Sequence, residues 1–214
     1  MLVTDDRLLA GRDLLDVCRR AVAGGVTVVQ LRLKQAPPRE LLELARQLRE
    51  VLPVPVVVND RADVARLAGV GVHLGVNDLP VAVARPVLSD GVFLGGSVGS
   101  AAEAERQRGA DYWGVGPWRE TSTKSDAGPA LGVEGLRRMV TLARDIPCVA
   151  IGGVRPEDVA TILQVGCAGV AVVSGILGQE DVEAASRRYA TALEGASRGG
   201  PPRDRGVGDL GGLR

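Results

Sequence analysis

Residues 114–124 read Gly-Val-Gly-Pro-Trp-Arg-Glu-Thr-Ser-Thr-Lys, with three hydroxyl side chains and an ammonium close behind a glycine–proline turn. The apolar run from Tyr112 to Val115 reads as a strand that delivers Thr121, Ser122, Thr123 and Lys124 to one place. Hydroxyl donors ending in a lysine are what a phosphate-bearing ligand needs. An ordinary surface loop carries such a row less often beside Gly-x-Gly-Pro.

Other strand-like runs also end in polar or glycine-rich segments. Gln30, Arg32 and Lys34 alternate, so their side chains point the same way from an extended chain. Asn59-Asp60-Arg61 follows a valine run, and His73 leads through Gly75 to Asp78. Gly95-Gly96-Ser97, Gly152-Gly153 and Val173-Ser174-Gly175 close three further runs. Glycine lets backbone N–H groups approach a phosphate closely, and a helix N-terminus adds a favourable dipole. Asp60 and Asp78 suggest a more highly charged ligand, because magnesium is held by one or two carboxylates completed by waters and phosphate oxygens. Arg32, Lys34 and Lys124 would balance the remaining negative charge. Asp60 also admits plainer readings, as a helix cap or as the partner of Arg61 or Arg66. His73 lies inside the apolar stretch Val72-His73-Leu74 and reads as a packed, hydrogen-bonded core histidine. The chain has a single histidine and three scattered cysteines. That supports no Ser-His-Asp or Cys-His arrangement and no zinc set.

The elements that must position these groups are legible. Strand-like runs occur at Leu2–Thr4, Val26–Leu31, Val54–Val58, Gly71–Leu74, Val92–Gly95, Asp111–Val115, Cys148–Ile151 and Gly169–Val173. Most are short, valine-rich and apolar on both faces, as buried parallel strands are. Helical periodicity lies between them: Leu14, Val17, Cys18 and Ala21; Leu41, Leu44, Ala45 and Leu48; Leu136, Met139, Val140 and Ala143. Pro156 suits a helix start and Gly166 the residue after a helix end. Eight strands alternating with about eight helices point to one α/β domain, a (β/α)8 or TIM barrel over residues 1–194. In that fold the active site lies at the strands' C-terminal ends, and the loops after strands 7 and 8 form a recurrent phosphate cradle. A doubly wound open sheet is the alternative. As a dinucleotide binder it would carry a glycine fingerprint after the first strand, where Thr4-Asp5-Asp6-Arg7 stands. Residues 195–214 hold seven glycines, two prolines and four arginines. A segment this poor in apolar surface reads as a short flexible tail.

Composition excludes several classes. Acidic and basic residues number 26 each and aromatics are 2% of the 214 residues, so neither a basic nucleic-acid surface nor stacking platforms are indicated. The isolated Cys18, Cys148 and Cys167 fit buried thiols in a reducing cytosol. The opening Met-Leu-Val-Thr-Asp-Asp-Arg carries acids where a signal peptide is apolar. A cytoplasmic location is therefore expected. The charge-free stretch from Val159 to Gln179 is long enough to span a membrane, but its glycines and polar residues divide it into helix end, strand and turn.

Six segments, in this order, resemble the thiamine-phosphate synthase family from about residue 2 to residue 193. They are Gln30-x-Arg32-x-Lys34; Val58-Asn59-Asp60-Arg61-x-Asp63; Gly71-Val-His-Leu-Gly75-x-x-Asp78; Ala110-Asp-Tyr-x-Gly-x-Gly-Pro117 with Thr121-x-Thr123-Lys124; Ala150-Ile-Gly-Gly153; and Gly169-Val-Ala-Val-Val-Ser174. The resemblance implies a (β/α)8 transferase that requires Mg²⁺ and joins an aminopyrimidine diphosphate to a thiazole phosphate. The products are thiamine phosphate and pyrophosphate. The family's reaction looks dissociative: pyrophosphate leaves, and the thiazole nitrogen captures the pyrimidine methylene cation. Gln30, Arg32 and Lys34 then resemble contacts to the pyrimidine diphosphate, as do Asn59, Ser97 and Lys124. Arg32, Lys34 and Lys124 are the candidate catalytic groups, since they neutralise the leaving group. Asp60 and Asp78 resemble the magnesium ligands. Thr121, Ser122 and Thr123 resemble the thiazole-phosphate segment, and Gly152, Val173 and Ser174 the rest of that cradle. Val76 stands where the family often has glutamine, and Gly99 where it commonly has histidine. A related thiazole tautomerase shares the fold but has a histidine where Pro117 stands and lacks the Thr-x-Thr-Lys run. A non-catalytic binder of thiazole phosphate would not need Asp60, Asp78 and Lys124. The sequence does not give the oligomeric state.

Overall fold

Short valine-rich strands have no stability alone, and here each is covered on both faces. A computed structural model describes residues 1–121 and 128–199. Ser122, Thr123 and Lys124, and the tail residues 200–214, lie outside the described residues. The strands are β1 (Leu2–Val3), β2 (Val29–Leu31), β3 (Val56–Asn59), β4 (Gly71–Leu74), β5 (Leu94–Val98), β6 (Tyr112–Val115), β7 (Cys148–Ile151) and β8 (Gly169–Ala171). The helices are α1 (Leu14–Ala23), α2 (Pro38–Val51), α3 (Ala62–Ala68), α4 (Val81–Ala84), α5 (Ala101–Arg106), α6 (Gly132–Ala143), α7 (Val159–Val165), α8 (Ser174–Leu177) and α9 (Val182–Gly199).

The eight strands pair in sequence order and in parallel. Just past β8, Val172 bridges Leu2 and closes the ring. Its carbonyl accepts the Val3 amide at 3.0 Å, and its own amide donates to the Met1 carbonyl at 3.0 Å. Outward side chains such as Leu31, Val58, Leu74, Leu94 and Trp113 are fully buried. They meet the helices' apolar stripes, which include Val17, Cys18 and Ala21 on α1 and Leu41, Ala45 and Leu48 on α2. Caps set the helix ends. The Asp13 carboxylate accepts the Leu15 and Asp16 amides at 2.8 and 3.3 Å, and Gly166 ends α7 at φ 112°.

Several boundaries differ from expectation, three of them by the most. β2 begins at Val29 rather than Val26, because Gly25 at φ 101° and Val26 still belong to the end of α1, the Val26 amide bonding Ala21. β5 begins at Leu94 rather than Val92 and runs past the expected end at Gly95, through Gly96 and Ser97 to Val98. α9 continues to Gly199, past the expected boundary at residue 195, and Ser197 Oγ bonds the Leu193 carbonyl at 2.8 Å. The charge-free stretch divides into α7, β8 and α8. Among the described residues no helix is long and apolar enough to cross a membrane.

Where α1 ends against α9, a Cβ on Gly24 would lie 2.4 Å from the Glu183 carbonyl oxygen and 2.6 Å from Ser186 Cβ. Overpacking of this kind costs about 1–3 kcal/mol. Gly24→Ala should lower stability by that amount in urea unfolding, with m unchanged. An unshifted midpoint would show that the two helices can separate freely.

Candidate functional site

Side chains alternate across a strand, and in a closed ring one alternate set faces the axis. The lining of a cavity of about 570 Å³ at the strands' C-terminal ends includes such alternate sets: Gln30 of β2 with Arg32 and Lys34 beyond it, Ser97 of β5 with Gly99 beyond it, and Tyr112 and Gly114 of β6 with Gly116 beyond it. Asn59, Asp60 and Asp78, brought by β3 and β4, line the same cavity, as do Thr121, Gly152, Val173 and Ser174. Every expected site residue within the described residues is therefore at one cavity. In the closed order of eight strands, β3 stands across the ring from β7.

On the β2 side, three residues that follow β1 hold the chain that follows β2. The Thr4 hydroxyl accepts the Arg32 amide at 2.7 Å and bonds the Arg32 carbonyl at 3.2 Å. Asp5, buried, pairs through Oδ2 with Arg32 Nη1 at 3.2 Å, while its Oδ1 accepts the Arg7 and Leu8 amides. Asp6 accepts the amides of Lys34 and Gln35 at 2.8 and 3.3 Å. Arg32 and Lys34 are thus aimed into the cavity by neighbours whose sequence shows only that a dinucleotide fingerprint is lacking.

Asp60 sits at φ 65°, a left-handed conformation that Asp and Asn tolerate better than other side-chain residues. Its amide bonds the His73 carbonyl at 2.8 Å. The plainer readings of Asp60 do not hold. Arg61, not Asp60, stands at the N-cap position of α3 and pairs with Asp63, and Arg66 bonds Ser89 Oγ at 2.7 Å. The carboxyl of Asp60 instead meets that of Asp78, whose Oδ2 also accepts the Gly75 amide at 2.6 Å. Burial, and then the hydrogen bond and charge of Asp78, push Asp60 up to about 6, against the opposing pull of Lys34 and Arg32. Two carboxyls that meet in this way are also a natural seat for a divalent cation. Among the described residues no three His, Cys, Asp or Glu side chains group to hold a metal, so the fit is to an ion completed by ligand oxygens and water.

The floor of the cavity is a hydrogen-bonded row across four strands. His73 bonds the Tyr112 hydroxyl through Nδ1 and Ser97 Oγ through Nε2, both at 3.0 Å. Gln30, also buried, bonds Tyr112 from the other side. Burial pushes the Tyr112 phenol well above its ordinary value. The glycines of β5 and β6 make room for this row. A Cβ on Gly95 would lie 2.2 Å from the Tyr112 ring, and one on Gly114 would lie 2.9 Å from His73 Cε1. His73 is therefore the hydrogen-bonded histidine that was expected, though at the cavity wall.

Opposite, Gly152 and Gly153 adopt φ of 94° and 66° and lie against the β6 loop. The Trp118 amide bonds the Ile151 carbonyl at 2.8 Å and the Arg119 amide bonds that of Gly152 at 2.9 Å. Behind the cradle, Tyr189 of α9 donates its hydroxyl to the Val154 carbonyl at 3.0 Å and lies where a Gly175 Cβ would fall. Both departures noted in the sequence, Val76 and Gly99, line the cavity. The Gly99 amide bonds Glu103 Oε2 at 2.6 Å. Sequence reasoning missed Thr4, Asp5, Asp6, Tyr112 and Tyr189. The polar row at the end of β1 obeys the same strand-end rule that found the others.

Eight parallel strands closed in order, with a polar cleft at their C-terminal ends, define a (β/α)8 barrel. Residues 1–176 match the family described as thiamine monophosphate synthase. A thiamine-phosphate synthase of Methanoculleus marisnigri is 43% identical over 205 residues, 93% of this chain and 97% of the relative. That of Azorhizobium caulinodans is 46% identical over 206 residues, 92% and 95% of the two chains. The solved thiamine phosphate pyrophosphorylase of Pyrococcus furiosus superposes with a TM-score of 0.79 at 36% identity, covering 91% of this chain and 95% of its own. A 3-hexulose-6-phosphate synthase at 17% identity and a TM-score of 0.66 shares the fold alone. The chain belongs to the thiamine monophosphate synthase family.

The folded chain holds the Asp60 proton up to about pH 6, against an ordinary 3.8, so between those values it binds more protons than the unfolded chain. Stability must fall as pH rises through that window, and the penalty is complete above it. Asp60→Asn, which tolerates the same backbone, should raise the melting temperature at pH 7.5 without divalent cations. The gain should shrink toward pH 4. An equal gain at both pH values would assign it to something other than carboxylate repulsion.

Proposed function

We propose that this chain is a thiamine-phosphate synthase, a transferase that joins an aminopyrimidine diphosphate to a thiazole phosphate and releases pyrophosphate. The observation that carries this reading is the pair of anion-suited arcs facing each other across one cavity. Arg32, Lys34 and the Asp60–Asp78 pair lie on one arc, and the glycine loops after β7 and β8 on the other. Two phosphorylated reactants held this way have their reacting carbon and nitrogen between them.

In the proposed reaction the C–O bond to the diphosphate breaks and its electron pair leaves with pyrophosphate. The thiazole nitrogen lone pair then forms the C–N bond to the pyrimidine methylene carbon. No general base is needed. Acceleration comes from neutralising the leaving group and holding the partners in line. Arg32 and Lys34 donate to the diphosphate, and Lys124, from the segment after Thr121, joins them. Asn59, Ser97 and Gln30 orient the pyrimidine, Ser97 being fixed by His73 and Gln30 by Tyr112. Asp60 and Asp78 are the residues that would hold Mg²⁺, which when bound supplies further charge neutralisation to the diphosphate. The backbone of Gly152, Val173 and Ser174, with Thr121, Ser122 and Thr123, receives the thiazole phosphate.

Purified protein given both substrates and Mg²⁺ should form thiamine phosphate, detected by mass, and should form none when either substrate or the metal is omitted. A folded protein that makes no product under any of these conditions would sink the synthase reading. Lys124→Ala should lower turnover at least a hundredfold while leaving thiazole-phosphate binding intact, on the scale of one lost transition-state donor. Unchanged turnover would remove the lysine from the mechanism.

A further inference from the structure

The residues after β1 touch no part of the proposed chemistry directly, yet they hold the chain that does. Asp5 is 5% exposed; its carboxylate accepts three hydrogen bonds and also lies 4.0 Å from Arg7 Nε. Its Oδ1 is fixed by the Arg7 and Leu8 amides, which leaves Oδ2 one direction, toward Arg32 Nη1 at 3.2 Å. Arg32 shares its cavity with a second carboxylate, that of Asp60. An unrestrained guanidinium beside that carboxylate would swing onto it, because bidentate pairing with a carboxylate is the strongest contact available to arginine. Such a swing would withdraw donors from an incoming diphosphate and cover the acidic pair.

We propose that Asp5 is a positioning residue that holds Arg32 at the diphosphate side of the cavity and away from Asp60. This deepens the synthase reading and rests on it. Thr4 and Asp6 complete the clamp, tying the backbone of Arg32 and the amides of Lys34 and Gln35. The direction of the effect separates position from charge. Removing a carboxylate 3.2 Å from Arg32 makes the site more positive, and charge alone would then tighten anion binding. Loss of position weakens it.

The test is calorimetric titration of inorganic pyrophosphate, with MgCl₂ present, into the parent protein, Asp5→Asn, Arg32→Ala and the double variant. Asp5→Asn should weaken pyrophosphate about tenfold, the scale of one hydrogen bond to a charged group. In the Arg32→Ala background it should cost nothing further, as two residues acting through one contact must. In steady-state assays KM should rise for the pyrimidine diphosphate and not for thiazole phosphate, a split that general loosening would not give. Equal or tighter binding by Asp5→Asn, or additive losses in the double variant, overturns the proposal. If Asp5→Asn does not fold, Asp5→Ser keeps an acceptor for the Arg7 and Leu8 amides and is read the same way. A parent protein that neither binds pyrophosphate nor makes product overturns the synthase reading and this one with it. A parent that does both, with an unaffected Asp5→Asn, overturns only this one.

Discussion

The hydrogen bonds that Val172 makes to Val3 and Met1, each 3.0 Å long, close the sheet into a ring, and the cleft exists because of that closure. An open parallel sheet would present its alternate side chains to two faces, each covered by helices. Closure turns one alternate set inward from every direction, so residues 30, 59, 73, 97, 112 and 151 converge although they are far apart in sequence. The strands are brief, two to five residues each. Inward side chains therefore run out quickly, and loop backbone takes their place at the rim. Charge comes from the inward positions after β2, β3 and β4, and bare backbone from the glycines after β7.

Like charge is held inside this cleft at a cost in stability. Burial and the neighbouring Asp78 carboxyl raise the proton affinity of Asp60, which occupies a left-handed backbone conformation to get there. Structural economy would place a neutral pair at this point. Arg32 and Lys34 offset part of the repulsion without contacting the acids directly, since Arg32 is engaged by Asp5.

The sequence carried the fold well because the barrel is written in a simple code: short two-faced apolar runs separated by amphipathic stretches. Its errors came from glycine. Gly95 and Gly96 look like the end of a strand, whereas they continue it. Their missing side chains admit the Tyr112 ring and the Gln107 side chain, and close approach between segments distant along the chain leaves no local signal. The same blindness hid Tyr112 as a site residue, since its partners His73 and Gln30 come from other strands. The polar strand ends were legible because the chemistry sits beside the strand that delivers it. Tyr189 was not, because it acts from behind, through α9, on loops it does not border in sequence.

The bracing of the site follows the ring more than the surrounding helices. β1's end holds β2's end through Thr4, Asp5 and Asp6, and Asp60 after β3 bonds the His73 carbonyl of β4. His73 bonds Ser97 of β5, and Tyr112 of β6 completes that row. The amides of Trp118 and Arg119 after β6 reach the carbonyls of Ile151 and Gly152 at the end of β7. These groups are thus fixed by a neighbouring strand that carries functional groups of its own. Buried hydrogen-bonded networks of this kind are costly when partly satisfied and rigid when complete. A substitution at any one position therefore acts on the next as well, so site residues on adjacent strands should not behave additively. Pairs separated by half the ring, such as Asp60 and Gly152, share no such contact and should be close to independent.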